Sequence, residues 1–293
     1  MRMIFILEKR NEIISLTRFD RPYGTFLLML PTLWSLFIAS SGYPTIKNMI
    51  VFILGSFLMR SAGCVINDMA DYQLDAKVAR TQNRPLAQGR LTHKEALYLL
   101  FGLLTVSFLL VLTLNRLTVA LSFVALFFAV LYPFAKRFTH FAQGLLGIAF
   151  SFGIVMAWTA ERGEISVVPI LLLMANLFWT IGYDTIYALM DKEDDMRIGV
   201  KSMAIFIGSK PSIGIGLFFS IATFSLLLAG YQNQMGNIYY AAILLAGMVF
   251  LYQTLRLRQA LNSDQIFSLF KAHVYVGSVI LSGIILHFHT PIH

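Results

Sequence analysis

Long apolar segments dominate this sequence and leave little room for a water-soluble fold. Runs of about 17 to 25 apolar residues, long enough to cross a bilayer as helices, recur along the chain. Of 293 residues, 57% are apolar and 13% are charged, and the mean hydropathy is +0.71. This composition predicts an all-α polytopic membrane protein with about nine transmembrane helices. The predicted spans are 24–41, 47–67, 95–113, 117–133, 139–160, 166–187, 211–230, 237–256 and 270–289.

The spans follow one another through short loops, so we predict a single integral-membrane domain over residues 1–293. A formal charge of +8 would suggest a nucleic-acid partner in a soluble protein, but here the basic residues lie in loops between spans. We therefore expect the lipid bilayer as the surroundings, no nucleic acid and no obligate protein partner. Cys64 is the only cysteine, which excludes an intramolecular disulfide.

Basic residues are distributed very unequally between the two sides of the predicted membrane. All but four of the 23 Lys and Arg residues fall on the side that holds the N-terminus. Lys47, Arg116 and Arg162 lie on the other side, and Arg60 lies within a span. The positive-inside rule then places the N-terminus in the cytoplasm and the C-terminus outside. The first twenty residues lack a signal-peptide pattern or a transit-like extension, which favours a bacterial cytoplasmic membrane.

The second span ends in a polar ladder. Arg60, Asn67, Asp71 and Asp75 are separated by seven, four and four residues, so in a continuing helix they share one face, with Asp68 beside it. A single helix face therefore offers several oxygen atoms on the cytoplasmic side.

Two further ladders end the fourth and sixth spans. Along the sixth span and the residues that follow it, polar side chains recur at steps of three or four and become more acidic toward the cytoplasm: Asn176, Thr180, Asp184, Tyr187, Asp191 and Asp195. The fourth ends with Tyr132 and Lys136 at i, i+4, with Arg137 adjacent. Carboxylates thus accumulate on two segments, and cations on a third.

Carboxylates at i, i+4 repel one another, so their accumulation implies a bound cation. Mg²⁺ binds one or two carboxylates together with substrate phosphates. Two acidic clusters that face one cavity could hold a diphosphate through magnesium, while basic residues neutralise the remaining oxygens. The candidate cations are Lys136, Arg137, Lys77, Arg80, Arg84 and Arg90. Loss of diphosphate would leave a carbocation, and the lipid-like surroundings suggest an allylic, polyprenyl one.

These motifs resemble those of the UbiA-type intramembrane prenyltransferases. The resemblance rests on Asn67 to Asp75, Arg80 to Arg90, Tyr132 to Arg137 and Gly182 to Ser202. The stretch Asp20 to Trp34 is similar to the opening of the branch that prenylates 4-hydroxybenzoate for ubiquinone synthesis. The resemblance covers nearly the whole chain.

The resemblance implies nine transmembrane helices around a central cavity, capped by cytoplasmic loops. It implies magnesium ligands at Asn67, Asp71, Asp75, Asp191 and Asp195, with Asp68 and Asp184 as supporting carboxylates. It also implies diphosphate contacts from Tyr132 and Lys136, and further substrate contacts from Arg60, Arg80, Arg84, Arg137 and Tyr187.

The implied reaction is magnesium-dependent transfer of a polyprenyl group to the ring carbon ortho to the hydroxyl of 4-hydroxybenzoate. Asp191, Lys136 and Arg137 are the catalytic candidates, and Asp191 would hold or deprotonate the phenol. Arg60, Arg21 and Arg137 are the three candidates for binding the acceptor carboxylate. Within the family, the acceptor could instead be a naphthoate, homogentisate, or a haem or chlorophyll precursor. Outside it, a transporter is the main rival, although transporters place acids near the midplane on interrupted helices.

Overall fold

The computed structural model describes residues 9–290 and is helical throughout that range, without strands. Turns and short loops connect twelve helices, which are labelled here in chain order. The helices are α1 Arg10–Thr17, α2 Tyr23–Ala39, α3 Ile46–Asp75, α4 His93–Val111, α5 Arg116–Ala135, α6 Ala142–Arg162, α7 Val167–Ala188, α8 Lys192–Ile198, α9 Met203–Phe206, α10 Pro211–Gln232, α11 Asn237–Arg256 and α12 Ser263–His289.

Nine of these helices account for the predicted membrane spans. Eight are long and apolar enough to cross a bilayer: α3, α4, α5, α6, α7, α10, α11 and α12. The ninth, α2, is apolar and has 17 residues, the lower limit of the length that spans a hydrocarbon core. The prediction of an all-α polytopic membrane fold is therefore confirmed.

Side-chain caps define where several of these helices begin. Thr45 and Asn115 each accept a backbone N–H from the first turn of α3 and α5. Thr92 and Asn262 form capping boxes at the starts of α4 and α12. These caps satisfy backbone N–H groups at the membrane surface, where a helix start would otherwise leave them without partners.

A dense aromatic core joins α2, α7, α10, α11 and α12. Trp34 stacks on Trp179 with ring centroids 5.2 Å apart, and the indole N–H of Trp34 donates to the carbonyl of Gly277 at 2.9 Å. Phe219 stacks on Phe250 at 4.4 Å in the same cluster. This packed half of the bundle gives the cavity a rigid wall.

The helices α4 and α5 lie at the periphery. α4 packs mainly on α3, α5 packs mainly on α6, and the two helices touch each other little. Many of their large apolar side chains are exposed, which suits contact with lipid. Because α4 and α5 touch each other little, the interior of the bundle is least enclosed between these two helices, on the side that would face lipid.

The two acidic motifs differ in their backbone. The first is helical throughout, because α3 continues to Asp75, and this confirms the shared face predicted for the first ladder. The second is interrupted: α7 ends at Ala188, one residue beyond the predicted end of the sixth span, and the chain turns before α8, so Asp191 and Asp195 do not continue the helix that carries the start of the second ladder. The turn has a physical reason: it places Glu193, Asp194 and Asp195 in the first turn of a new helix, where the helix dipole favours negative charge.

Close packing of α6 on α7 requires a glycine at position 147. A Cβ atom at Gly147 would lie 3.0 Å from the backbone oxygen of Leu177, whereas one at Gly144 would meet only Ile181, at 3.9 Å. We expect Gly147→Ala to lower stability by about 1 to 3 kcal/mol through overpacking, and Gly144→Ala to have little effect. Thermal unfolding in detergent tests this difference, and equal melting temperatures would contradict it.

Candidate active site

One large cavity, of about 1030 Å³, lies inside the bundle and has two chemically distinct ends. Its polar end brings together many of the predicted site residues: Arg60, Asn67, Asp68, Arg80, Arg84, Tyr132, Asp184 and Tyr187. Its apolar end reaches Phe108 and Leu114, near the opposite membrane surface, and Phe123 of α5 also lines it. The cavity can therefore hold a charged head group and a long hydrocarbon tail at the same time.

The other predicted site residues do not line the cavity: Asp71, Asp75, Lys136, Arg137, Asp191 and Asp195. Several of them are joined by ion pairs to residues that do. Asp75 accepts a hydrogen bond from Arg84 at 2.8 Å, and Asp191 accepts from Arg80 at 2.9 Å. These carboxylates thus form a layer directly behind the polar end.

On α3, Asp71 lies at the centre of a cluster contributed by α5. Its Oδ2 accepts a hydrogen bond from the ammonium of Lys136, and the guanidinium of Arg137 lies 3.9 Å from its Oδ1. Arg137 also donates to the carbonyl of Ala70. Lys136 and Arg137 follow the last turn of α5, so the predicted basic ladder meets the first acidic ladder directly.

The second acidic motif is held by the loop between α3 and α4. Arg80 binds the carboxylate of Asp191, donates to the hydroxyl of Tyr187 at 2.6 Å and places its guanidinium carbon 4.7 Å from the Tyr187 ring centroid. Asp194 accepts a hydrogen bond from the backbone N–H of Ala79 at 3.4 Å. The predicted cap loop therefore bridges the two acidic motifs.

The carboxylate of Asp195 makes no hydrogen bond or ion pair with the residues from 9 to 290, and its side chain is half-buried. Burial raises the pKa of Asp195 to about 6, and the nearby charge of Asp191 adds to this rise. A bound cation would relieve both effects, so this carboxylate is suited to a metal ion.

Arg60 lines the cavity without a fixed partner. Within residues 9–290, its guanidinium makes no hydrogen bond and no ion pair, and its guanidinium carbon lies 5.8 Å from the ring centroid of Phe150. Asp184 and Tyr132 are close enough to interact with it electrostatically. An unpaired cation inside a largely apolar cavity is a ready site for a substrate anion.

The carboxylates do not form a metal site on their own. In the described range, no three His, Cys, Asp or Glu side chains converge on a common point, because most of the acidic groups face an Arg or Lys. Nevertheless, the Oδ1 atom of Asp71 is buried without a hydrogen-bond donor. Such an orphaned oxygen, one helical turn after Asn67 on α3, fits the oxygen ligands that Mg²⁺ prefers.

Sequence reasoning missed Arg18, which lines the polar end and donates to both oxygens of Asp68, at 3.0 and 2.8 Å. It is separated from its partner by fifty positions and lies in a charged N-terminal stretch. From its position in the sequence, Arg18 is one of the basic residues that orient the chain in the membrane. No periodicity within one helix could have connected the two residues.

Comparison with known proteins supports the architecture and the motifs. The model of the UbiA prenyltransferase family matches residues 28–276. A protein from Vibrio campbellii named 4-hydroxybenzoate octaprenyltransferase is 46% identical over 281 residues, covering 96% of this chain and 99% of the relative. One of the same name from Psychromonas ingrahamii is 47% identical over 282 residues, covering 96% and 98%.

Solved structures share the fold. A UbiA homologue from Aeropyrum pernix K1 superposes with a TM-score of 0.79 at 25% identity, covering 89% of this chain and 97% of that one. A homologue from Archaeoglobus fulgidus, bound to GPP and Mg²⁺, has a TM-score of 0.66 at 14% identity, covering 92% and 99%. From the extent of the family match and of the curated relatives, we conclude that this chain belongs to the UbiA prenyltransferase family.

Proposed function

We propose that this chain transfers a polyprenyl group from polyprenyl diphosphate to 4-hydroxybenzoate. The new bond forms at the ring carbon ortho to the hydroxyl, and diphosphate is released. The observation that carries this proposal is the cavity, which joins an Arg- and Asp-rich end to a long apolar end. The names of the bacterial relatives support 4-hydroxybenzoate as the acceptor.

Magnesium is the proposed cofactor, and the Archaeoglobus homologue with bound Mg²⁺ supports this choice. Asn67, Asp71 and Asp75 of α3 would hold it from one side, and Asp191 and Asp195 from the other. When bound, Mg²⁺ neutralises charge on the diphosphate and makes it a better leaving group. Asp184 faces the cavity close to these groups and contributes negative charge there.

The basic residues around the polar end would bind the diphosphate oxygens. Arg80 and Arg84 line the cavity, and Lys136 and Arg137 lie directly behind it, next to Asp71. Tyr132 adds a hydroxyl donor from the cavity wall. Together, these donors stabilise negative charge as it develops on the leaving group.

In the proposed reaction, the bond between the allylic carbon and the diphosphate oxygen breaks, and the aromatic ring attacks the resulting cation. A carbon–carbon bond forms and the ring proton passes to a base. Asp191 is the proposed base or phenol-binding group, and Arg80 connects it to the hydroxyl of Tyr187, which lines the cavity. The apolar walls exclude the water that would otherwise convert the cation to an alcohol.

Arg60 is the proposed binding residue for the acceptor carboxylate. Of the three candidates from sequence, Arg21 has a side chain that is 74% exposed, and Arg137 is already engaged with Asp71 and Ala70. Arg60 alone combines a position inside the cavity with the absence of a described partner. A half-buried cation in the cavity wall also gives the acceptor a fixed orientation.

We place this domain, residues 1–293, in a bacterial cytoplasmic membrane, with the N-terminus and the polar end of the cavity facing the cytoplasm and the C-terminus outside. Three observations support this orientation. The side of the predicted membrane that holds the acidic motifs carries most of the basic residues, the apolar helices are nine in number in the described range, and the relatives are bacterial.

The reaction can be tested with the purified chain in lipid vesicles. Labelled 4-hydroxybenzoate, a long-chain polyprenyl diphosphate and Mg²⁺ should yield a prenylated acid, and EDTA should abolish it because the charge on the leaving group is no longer neutralised. Product formed only with a naphthoate or homogentisate would move the assignment to another acceptor. If no acceptor releases diphosphate, the chain is not a prenyltransferase.

Gly24 on α2 provides room for Arg60. A Cβ atom at this position would lie 2.5 Å from the Nε and Nη2 atoms of Arg60, so the flexible side chain would have to move. We expect Gly24→Ala to raise the KM for 4-hydroxybenzoate about tenfold or more, because misplacement of a binding group by about 1 Å is costly. The melting temperature should change little. Gly102→Ala, where a Cβ meets nothing within 4 Å, is the control, and equal KM values would argue against a role for Arg60.

A further inference from the structure

Asp68 differs from the other carboxylates of α3 because arginines occupy both of its oxygens. Arg18 Nη2 donates to Oδ1 at 3.0 Å and to Oδ2 at 2.8 Å, and Arg84 Nη1 donates to Oδ1 at 2.9 Å. The side chain of Asp68 is only 1% exposed. A carboxylate enclosed in this way has little capacity left for a metal ion. By contrast, Asp71 keeps one buried oxygen without a donor.

Arg18 is held in an unusual position by these contacts. It follows the last residue of α1 with a φ of 60°, in the left-handed region that residues other than glycine rarely adopt. Its Nη1 donates to the carbonyl of Ser15, and its Nε makes no hydrogen bond within the described residues. The side chain is 20% exposed and lines the polar end of the cavity.

One carboxylate therefore orients two cavity-lining arginines that come from different parts of the chain. Arg84 also binds Asp75, so the pairs form a continuous chain of charges from α1 through α3 to the following loop. Within the described residues, the Nε of Arg18 and the Nε and Nη2 atoms of Arg84 keep free N–H groups. Fixed guanidinium groups with free N–H donors suit phosphate recognition.

We propose that Arg18 binds the diphosphate of the prenyl substrate, and that Asp68 is a positioning residue for Arg18 and Arg84 rather than a magnesium ligand. The proposal rests on the proposed function only for the identity of the substrate. It also gives α1 a part in the active site, because α1 packs on α3 and Arg18 directly follows its last residue.

The test measures binding without turnover, on the full chain purified in detergent. The probe is farnesyl S-thiolodiphosphate, whose bridging sulfur blocks cleavage, with Mg²⁺ present. We expect Arg18→Gln to raise the Kd for the probe about tenfold, the effect of losing a hydrogen bond to a charged group, and Asp68→Asn to do the same. The double variant should bind no more weakly than the weaker single variant, because the two residues act through one contact.

Magnesium dependence separates positioning from metal binding. Asp68→Asn should leave the Mg²⁺ concentration for half-maximal probe binding unchanged, whereas Asp75→Asn should raise it. Arg10→Gln, at the exposed start of α1, is the matched control and should bind the probe as the unaltered chain does. Arg18→Lys should recover part of the lost affinity, because lysine keeps the positive charge but lacks the planar guanidinium with its several fixed N–H donors.

Two results would overturn the inference. An unchanged Kd in Arg18→Gln would remove Arg18 from the substrate site, and an Mg²⁺ requirement raised in Asp68→Asn as much as in Asp75→Asn would make Asp68 a metal ligand. If Asp68→Asn does not fold, the Arg18 variants still test whether Arg18 binds the diphosphate. Titration of Arg18→Gln with Mg²⁺ then tests whether Asp68 is a metal ligand. A lower Mg²⁺ requirement in that variant would show that Asp68 binds the metal once Arg18 no longer holds it. Because the probe needs no acceptor, failure to prenylate 4-hydroxybenzoate would leave this test intact.

Discussion

Replacing Asp191 with asparagine should reduce the rate of prenyl transfer by about a thousandfold, because metal-assisted stabilisation of a leaving group is worth several kcal/mol. The substitution keeps the shape of the side chain but removes the negative charge that Arg80 binds. It also removes any ability to accept the ring proton. Single-turnover measurements at saturating substrate would show whether the chemical step, and not only binding, is affected.

Glu193→Gln is the matched control for Asp191, because Glu193 lies on the adjoining helix α8 and its side chain is 84% exposed. It should retain nearly full activity. If both variants were equally impaired, the result would be explained by the loss of negative charge around α8 and not by a specific role of Asp191. If Asp191→Asn stayed active with an unchanged melting temperature, Asp191 would have neither of its proposed roles.

Replacing Arg60 with glutamine should raise the KM for 4-hydroxybenzoate about a hundredfold, because truncating one partner of a buried charge pair costs about 2 to 5 kcal/mol. The KM for the prenyl diphosphate should stay nearly constant, since Arg80 and Arg84 remain in place at the polar end. An acceptor in which an amide replaces the carboxylate should be used poorly by the unaltered chain and should be much less sensitive to the substitution.

Arg21→Gln gives a direct comparison for Arg60, because Arg21 also lines the cavity but lies near the surface, beside Asp20. We expect its acceptor KM to change by less than a factor of about five, in keeping with the small energies of exposed charges. The reverse order of effects would assign the acceptor carboxylate to Arg21.

Much of the fold could be predicted from the sequence because few backbone structures are stable in the hydrocarbon core of a bilayer. Backbone groups in a bilayer must be satisfied within their own segment, so each long apolar run indicates a helix. The repeat that joins Arg60 to Asp75 could be assigned to one helix face because that helix continues past the predicted span. Within a single regular helix, spacing alone is sufficient to predict which residues share a face.

The arrangement of the site could not be predicted in the same way, because it depends on contacts between distant segments. The pairs of Arg80 with Asp191 and of Lys136 with Asp71 join residues 111 and 65 positions apart. The sixth span was predicted to end near Ala188, but the spacing of the second ladder could not show that Asp195 lies in a new helix, whose first turn is favourable for carboxylates. The positions of the six site residues behind the cavity surface required the folded structure.

The ion pairs that hold the carboxylates have a consequence for the order of ligand binding. Without ligands, the cationic side chains compete with any metal ion for the same oxygens, so Mg²⁺ alone should bind weakly. A diphosphate that attracts Arg84 and Lys136 frees Asp75 and Asp71 for the metal. By linkage, each ligand then raises the affinity for the other by the same factor. The resting network would thus make the two ligands bind cooperatively and keep the site closed to stray divalent ions.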